Sequence, residues 1–199
     1  MEHEAWSSFR LVGGTALSLQ LGHRMSIDLD LFTDLPYGSV DFDLLDRSME
    51  VLFQATDFNR TNPPGLGKTY YFEWNGCAIK VDAFYTDPFL EPAELFGFLR
   101  LAGLRDLAAM KMDVLQRGGR KKDFWDIHAL HDQFSLDELF DAHRARYPFV
   151  HDPKLLRSKL TQFETAEFDF EPYCYLGKHW ELIKYDFEQW SASWINPTE

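Results

Sequence analysis

The stretch LVGGTALSLQLGHRMSIDLDLF runs from Leu11 to Phe32 and sets a pair of glycines ahead of two aspartates separated by one leucine. Asp28 and Asp30 alternate with Leu29 and Leu31. That is the period of a strand, so both carboxylates are expected on one face of a sheet. Like charges placed there repel, so either the face is simply wet or a positive charge belongs between them. Gly13 and Gly14 precede a helix expected from Gly14 to Gly22. A Gly-Gly entering a helix leaves backbone N–H groups free to approach a phosphate closely, and the helix N-terminus adds partial positive charge. Thr15 can add a hydroxyl.

Thirteen residues lie between Gly14 and Asp28, enough for one helix and a return to the neighbouring strand. The return would set the phosphate nest beside the carboxylates. Along a strand Asp28 and Asp30 stand roughly 6 to 7 Å apart, a spacing from which they can share hard cations such as Mg²⁺, which take oxygen ligands and bring substrate phosphates with them. A third oxygen donor is then expected. Asp82, in the alternating run AIKVDAFY (Ala78–Tyr85), is the best candidate, because Asn75-Gly76 between two β-rich runs signals a hairpin that can lie beside the Asp28/Asp30 strand. Taken singly, DLDLF reads as a half-exposed strand and GG as a turn. Together with a third acidic residue they read as a site for phosphate and metal.

A chain of 199 residues with 45% hydrophobic content is long enough for one ordinary domain with a sizeable core. No apolar run reaches the roughly 20 residues of a membrane span, and MEHEAWSSFR lacks the apolar centre of a signal peptide, so a cytoplasmic protein without a membrane partner is expected. Cys77 and Cys174 form no CxxC pair and read as free thiols. The formal charge of -12 argues against a broad basic surface that grips long nucleic acid, so any such contact is local. One basic island, RGGRKK at Arg117–Lys122, stands against this background. On charge alone it is a solvated helix connection.

Strands are expected at Phe9–Val12, Ile27–Phe32, Tyr70–Trp74 and Ala78–Tyr85, with a helix over Val40–Phe53. Beyond Pro88 and Pro92 the pattern turns helical, with helices near Leu104–Gln116, Lys121–Phe134, Leu136–Tyr147, Pro153–Gln162 and His179–Trp194. The fold class is α+β: a small mixed sheet flanked by helices, followed by a helical C-terminal half. Residues 1–98 form the α/β core and residues 99–199 the helical region.

Val12, Gly13, Gly14, Asp28 and Asp30 match the signature of the DNA polymerase β-like nucleotidyltransferase superfamily: an apolar residue, Gly, Gly or Ser, a spacer, and Asp-x-Asp. GGTALSLQLGHRMSIDLDLF and LRDLAAMKMDVLQRGGRKKDFWDIHAL further resemble the nucleotidyltransferase AbiEii/AbiGii toxin family of toxin–antitoxin and phage-defence systems. The second block carries a lysine on a helix, a basic loop and Lys-Asp-Phe-x-Asp-Ile, here Lys111, Lys122, Asp123, Phe124, Asp126 and Ile127. FSLDELFDAHRARYP and LTQFETAEFDFEP resemble the short, single-domain branch of the family. That family usually has a longer helical lead than this chain carries before its first strand.

The resemblance implies a nucleotidyltransferase that moves a nucleoside monophosphate from an NTP to an acceptor, with pyrophosphate leaving. Such transfer rests on positioning and on neutralising charge at the α-phosphate, which two metal ions can supply. In the family's scheme Asp28 and Asp30 hold the metals, Mg²⁺ or Mn²⁺. Asp82 holds the one that activates the acceptor hydroxyl, or accepts its proton. Lys111 and Lys122 meet the triphosphate, and Asp123 orients that clamp or contacts the base. The acceptor implied is RNA, such as a tRNA 3′ end, and the partner a cognate antitoxin. Two other functions stay open: transfer to a protein or small molecule, which the acidic surface suits, and nucleotide binding without turnover.

Arg24 and Ser26, just before the catalytic strand, are in range of a phosphate, and Arg24 equally suits a carboxylate. His23 reads as a structural hydrogen-bonding residue, Asp126 as a partner for Arg120 or Lys111, and Trp180, Trp190 and Trp194 as packing residues.

Overall fold

The computed structural model describes residues 1, 3–53, 57–58 and 65–194. Its contacts divide the chain into two compact units: Met1–Ala16 with Ser26–Gly103, and Leu17–Met25 with the residues from Leu104 onward. The division expected at 98/99 falls within a hairpin whose strands both belong to the first unit.

The first unit carries a mixed sheet built from β1 (Arg10–Val12), β2 (Leu29–Thr33), β3 (Asp57–Phe58), β4 (Gly67–Trp74), β5 (Cys77–Tyr85), β6 (Glu94–Phe96) and β7 (Leu99–Leu101). The order is β3-β4-β5-β2-β1-β7-β6. β2 runs antiparallel to β1 and parallel to β5, and β4 and β5 form the expected hairpin. Asn75 and Gly76 both take positive φ, 50° and 76°, as a two-residue turn matched to strand twist requires. Helical expectation past Pro92 fails over Glu94–Leu101. That segment alternates about Gly97 (φ 59°), and Leu101 pairs with Leu11 to extend the sheet.

Alternation gives this sheet two unlike faces. Tyr70, Val81 and Ala83 are buried on one face and pack with Trp6, Phe9 and the helix α2 (Phe42–Phe53), while Leu29 and Leu31 pack against the same cluster. α2 presents Phe42, Leu45 and Met49 to it, an i, i+3, i+7 stripe. Each fully buried large apolar side chain contributes roughly 1.5–3 kcal/mol, so this face fixes which residues of β2 and β5 point the other way. Those residues include Asp30, Lys80 and Asp82.

α1 (Gly13–Leu21) begins in the first unit and ends in the second. The second unit also holds α3 (Leu104–Gln116), α4 (Lys121–His131), α5 (Leu136–Arg146), α6 (Pro153–Lys159) and α7 (Trp180–Ser193). α3 packs against α4, α5 and α6, and α4 against α7. Phe124 is the hub of an aromatic cluster, its ring centroid 5.2 Å from Phe163 and Phe187 and 5.6 Å from Trp180. Trp180 is buried and packs as expected; Trp190 stacks on His131, and Trp194 packs on Phe140. Among the described residues no helix is long and apolar enough to cross a membrane.

Candidate active site

The register of β2 and β5 brings together two aspartates that lie far apart in the chain. Asp30 is the direct partner of Asp82 across the parallel pair, so both side chains leave the sheet on the face opposite the core. Adjacent strands lie about 4.8 Å apart, which makes the two carboxylates immediate neighbours. Asp28 falls just outside β2, which begins at Leu29, and so belongs to the approach segment rather than to the strand where it was expected. Thr15, in the first turn of α1, engages that segment. Its hydroxyl donates to the Asp28 carbonyl and lies 3.0 Å from Ser26 Oγ. Thr15 and Ser26 thereby clamp the loop that delivers Asp28.

Gly13 opens α1 with φ 69°, and Asp30 Oδ2 occupies the place that a Cβ on it would need. The Asp30 carboxylate therefore rests against the backbone at the start of α1. Only glycine meets both demands, a left-handed φ and a carboxylate at contact distance. In the first unit the expected residues Gly13, Gly14, Thr15, Ser26, Asp28, Asp30 and Asp82 thus stand in one neighbourhood built from β1, β2, β5 and the first turn of α1.

Two further residues complete it. Lys80 Nζ donates to Asp82 Oδ2 at 2.6 Å, and Thr69 Oγ1 donates to Asp82 Oδ1 at 2.6 Å. The hydrogen bond to Asp82 and the nearby charges of Asp82 and Asp30 raise the Lys80 pKa above its ordinary value. Lys80 is thus a positive charge beside Asp82 and Asp30 that offsets the repulsion between them. Sequence reasoning missed Thr69, although a signal existed: a two-residue turn at Asn75-Gly76 pairs Trp74 with Cys77, and counting back along the ladder sets Thr69 opposite Asp82. Lys80 was signalled by its place two residues before Asp82 on the same face.

Asp30 and Asp82 supply the oxygen donors that Mg²⁺ or Mn²⁺ prefers, and Lys80 already places a cation on Asp82, so the pair fits a divalent metal. A preformed trio is a different matter. Among the described residues no group of three or more His, Cys, Asp or Glu side chains is arranged to hold a metal ion.

In the second unit, Lys111 and Asp123 belong to a buried ionic network. Lys111 Nζ lies 2.6 Å from Asp126 Oδ2 and 2.7 Å from Asp123 Oδ1. Arg24 grips Asp126 with two bonds, Nε to Oδ1 at 2.7 Å and Nη2 to Oδ2 at 2.8 Å, and His23 Nε2 donates to Oδ1 at 2.7 Å. Burial pushes the Asp126 carboxyl up, but Lys111, His23 and Arg24 outweigh it and hold the group well below the usual carboxylate range. Burial likewise pulls Lys111 down, and Asp126 and Asp123 more than reverse it. Arg24 thus takes the carboxylate of its two expected partners, Asp126 is the partner of Lys111, and His23 is structural.

Asp123 also accepts the Arg120 backbone N–H at 3.0 Å, which fixes the N-terminal turn of α4, where half-buried Lys122 sits. The rest of the basic island is engaged nearby: Arg117 with Asp113, Arg120 with Asp169 at 3.7 Å, and Lys121 Nζ with the Glu167 carbonyl at 3.2 Å.

The profile of the Nucleotidyl transferase AbiEii toxin family, of type IV toxin–antitoxin systems, matches residues 3–190. The chain belongs to this family. It is 32% identical to an uncharacterised protein of Aquifex aeolicus (strain VF5), over 92% of this chain and 86% of that one. Two solved structures share its fold. One is a candidate nucleotidyltransferase from H. pylori, at TM-score 0.58 and 20% identity, over 94% of this chain and 86% of that one. The other is MenT4, a nucleotidyltransferase toxin of Mycobacterium tuberculosis H37Rv, at TM-score 0.59 and 16% identity, over 96% of this chain and 77% of that one. An AbiEii-type chain is a nucleotidyltransferase with an NTP as substrate, and membership of a toxin–antitoxin system implies an antitoxin as partner.

Proposed function

We propose that this AbiEii-type nucleotidyltransferase transfers a nucleoside monophosphate from an NTP to an RNA 3′ hydroxyl, such as a tRNA end, and acts as the toxin of a toxin–antitoxin or phage-defence pair. The observation that carries the chemistry is the register pair Asp30–Asp82 beside the glycine start of α1. The acceptor oxygen forms a bond to the α-phosphorus, the bond to the β-phosphate oxygen breaks, and pyrophosphate departs with its electron pair. Asp28, Asp30 and Asp82 would hold Mg²⁺ or Mn²⁺, which would lower the acceptor pKa and neutralise charge on the phosphates.

The remaining roles belong to the chain. Asp82 would hold the metal that activates the acceptor hydroxyl, or accept its proton. Gly13, Gly14 and Thr15 present the first turn of α1 to phosphate. Lys122 binds the triphosphate. Lys111, with Asp123, Asp126 and Arg24, is a positioning residue: its ammonium is engaged by two carboxylates, and the network orders the turn of α4 that carries Lys122.

A second acceptor class has an observation of its own. With a net charge of -12 and a basic island largely paired with nearby acids and a carbonyl, the chain suits a protein or small-molecule acceptor that needs no long phosphate track. Incubating the wild-type protein with each α-labelled NTP, a divalent metal, total RNA and an RNA-depleted lysate separates the two. Label in RNA is the expected result. Label confined to protein or small molecules would overturn the RNA assignment.

A further inference from the structure

Lys80 differs from the other site lysines in one respect that bears on how metal reaches the carboxylates. Its ammonium sits 2.6 Å from Asp82 Oδ2, yet its side chain is 37% exposed, against 17% for Asp82. Lys111 shows the contrast: it is 9% exposed and held by two carboxylates, so it has nowhere to go. Lys80 pairs with Asp82 at the sheet surface and reaches solvent along a flexible four-carbon stem. Both Asp82 oxygens are engaged, one by Lys80 and the other by Thr69, whose neutral hydroxyl leaves the oxygen's charge uncompensated. Asp30 adds its own negative charge beside the same ammonium.

We propose that Lys80 is a resident counter-ion of the active site, which holds Asp82 in place beside Asp30 and competes with the divalent metal for it. The inference rests on the reading of Asp82 as a metal-holding residue. An ammonium neutralises one unit of the pair's charge and needs no fixed coordination, so it offsets the repulsion between two neighbouring carboxylates on one sheet face. A divalent ion neutralises two units but must first displace the ammonium. The displaced side chain has open solvent to move into, and Thr69 still donates to the other Asp82 oxygen, so the carboxylate keeps its orientation through the exchange. Lys80 is in this sense a positioning residue: it sets the metal concentration at which the site fills, and metal entry frees a cation on the face that receives the triphosphate.

The test is a titration of the full chain with Mn²⁺, without nucleotide, following the paramagnetic resonance signal of the free ion. Lys80→Met, which keeps the stem and removes the charge, is expected to bind Mn²⁺ about tenfold more tightly than wild type, within the 10–100-fold range over which neighbouring groups tune metal affinity. Lys80→Arg keeps the competing charge and is expected to stay near wild type. Asp82→Asn is expected to weaken binding. Unchanged or weaker binding by Lys80→Met, with Asp82→Asn still weakened, would overturn the competition while leaving the metal reading intact. Unchanged binding by Asp82→Asn would remove the metal reading and the competition with it.

Discussion

Gly13 carries two constraints at once, since its φ is 69° and the Asp30 carboxylate lies where a side chain would go. Gly13→Ala is therefore expected to cost about 1–3 kcal/mol of stability from the left-handed backbone and to lower nucleotidyl transfer by roughly 10²-fold, the usual consequence of misplacing a reacting group by about 1 Å. A melting curve and an initial rate on the same preparation check both. Thr69→Val tests the support of Asp82 more gently. It removes the 2.6 Å bond to Oδ1, with an expected loss of about 1 kcal/mol in stability and roughly tenfold in rate. If the rate stayed at the wild-type level, Thr69 would have no part in orienting Asp82. At this scale the sequence was informative where spacing alone fixes geometry, as for Gly13 ahead of Asp30 or Asp82 beyond the Asn75-Gly76 turn. For Lys80 it gave only a spacing signal, because a lysine two residues from an aspartate pairs with it only if both leave a sheet on the open face, and burial of Val81 and Ala83 determines that.

Among the elements, the β2–β5 pairing and the α3–α4 pairing hold the expected functional residues, by different means. β2 and β5 are joined by backbone bonds with apolar cover on one face, whereas α3 and α4 are joined through charges buried at Asp126. Asp126→Ala would leave Lys111, Arg24 and His23 facing a void and is expected to destabilise the protein by about 3–5 kcal/mol, read by urea unfolding. The same network sets a pH dependence. The Asp126 pKa is held below its unfolded value, so its contribution is complete above about pH 4 and is lost as pH falls from there towards the folded value. Lys111 has the opposite sign: its raised pKa contributes below about pH 10 and is lost as pH rises past the folded value. Unfolding free energy measured between pH 2 and 5 is expected to fall on the acid side, and to fall less in Asp126→Ala. Helical periodicity made α5 readable through the stripe Leu136, Leu139, Phe140 and His143, whereas α4 is buried nearly all round and is marked by its run of helix formers after the Gly118-Gly119 break. Periodicity misled past Pro92, where Glu94–Phe96 and Leu99–Leu101 are too short for a period to show and gain their strand character from pairing with each other and with Leu11.

For the molecule as a whole, a net charge of -12 limits how an RNA acceptor is held. With few phosphate contacts, RNA affinity is expected to depend weakly on salt. About three contacts to a single strand give a log–log slope near -2, and a slope several times steeper would point to a long basic track that the composition does not supply. The membership of the chain in the AbiEii family was legible because Gly13-Gly14, the Asp28–Asp30 pair and the Lys111–Ile127 block are local strings. The engagement of Lys111 and Arg24 by Asp126 was less so, because it depends on which carboxylates are buried with them. The assignment of Asp30 as an essential metal-holding carboxylate bears most weight. Its most direct test is label transfer from α-labelled NTP, in Mg²⁺ and in Mn²⁺, by wild type and by Asp30→Asn preparations with matching melting curves. The expected result is transfer by wild type and none by Asp30→Asn in either metal; transfer by Asp30→Asn at the wild-type rate would contradict it.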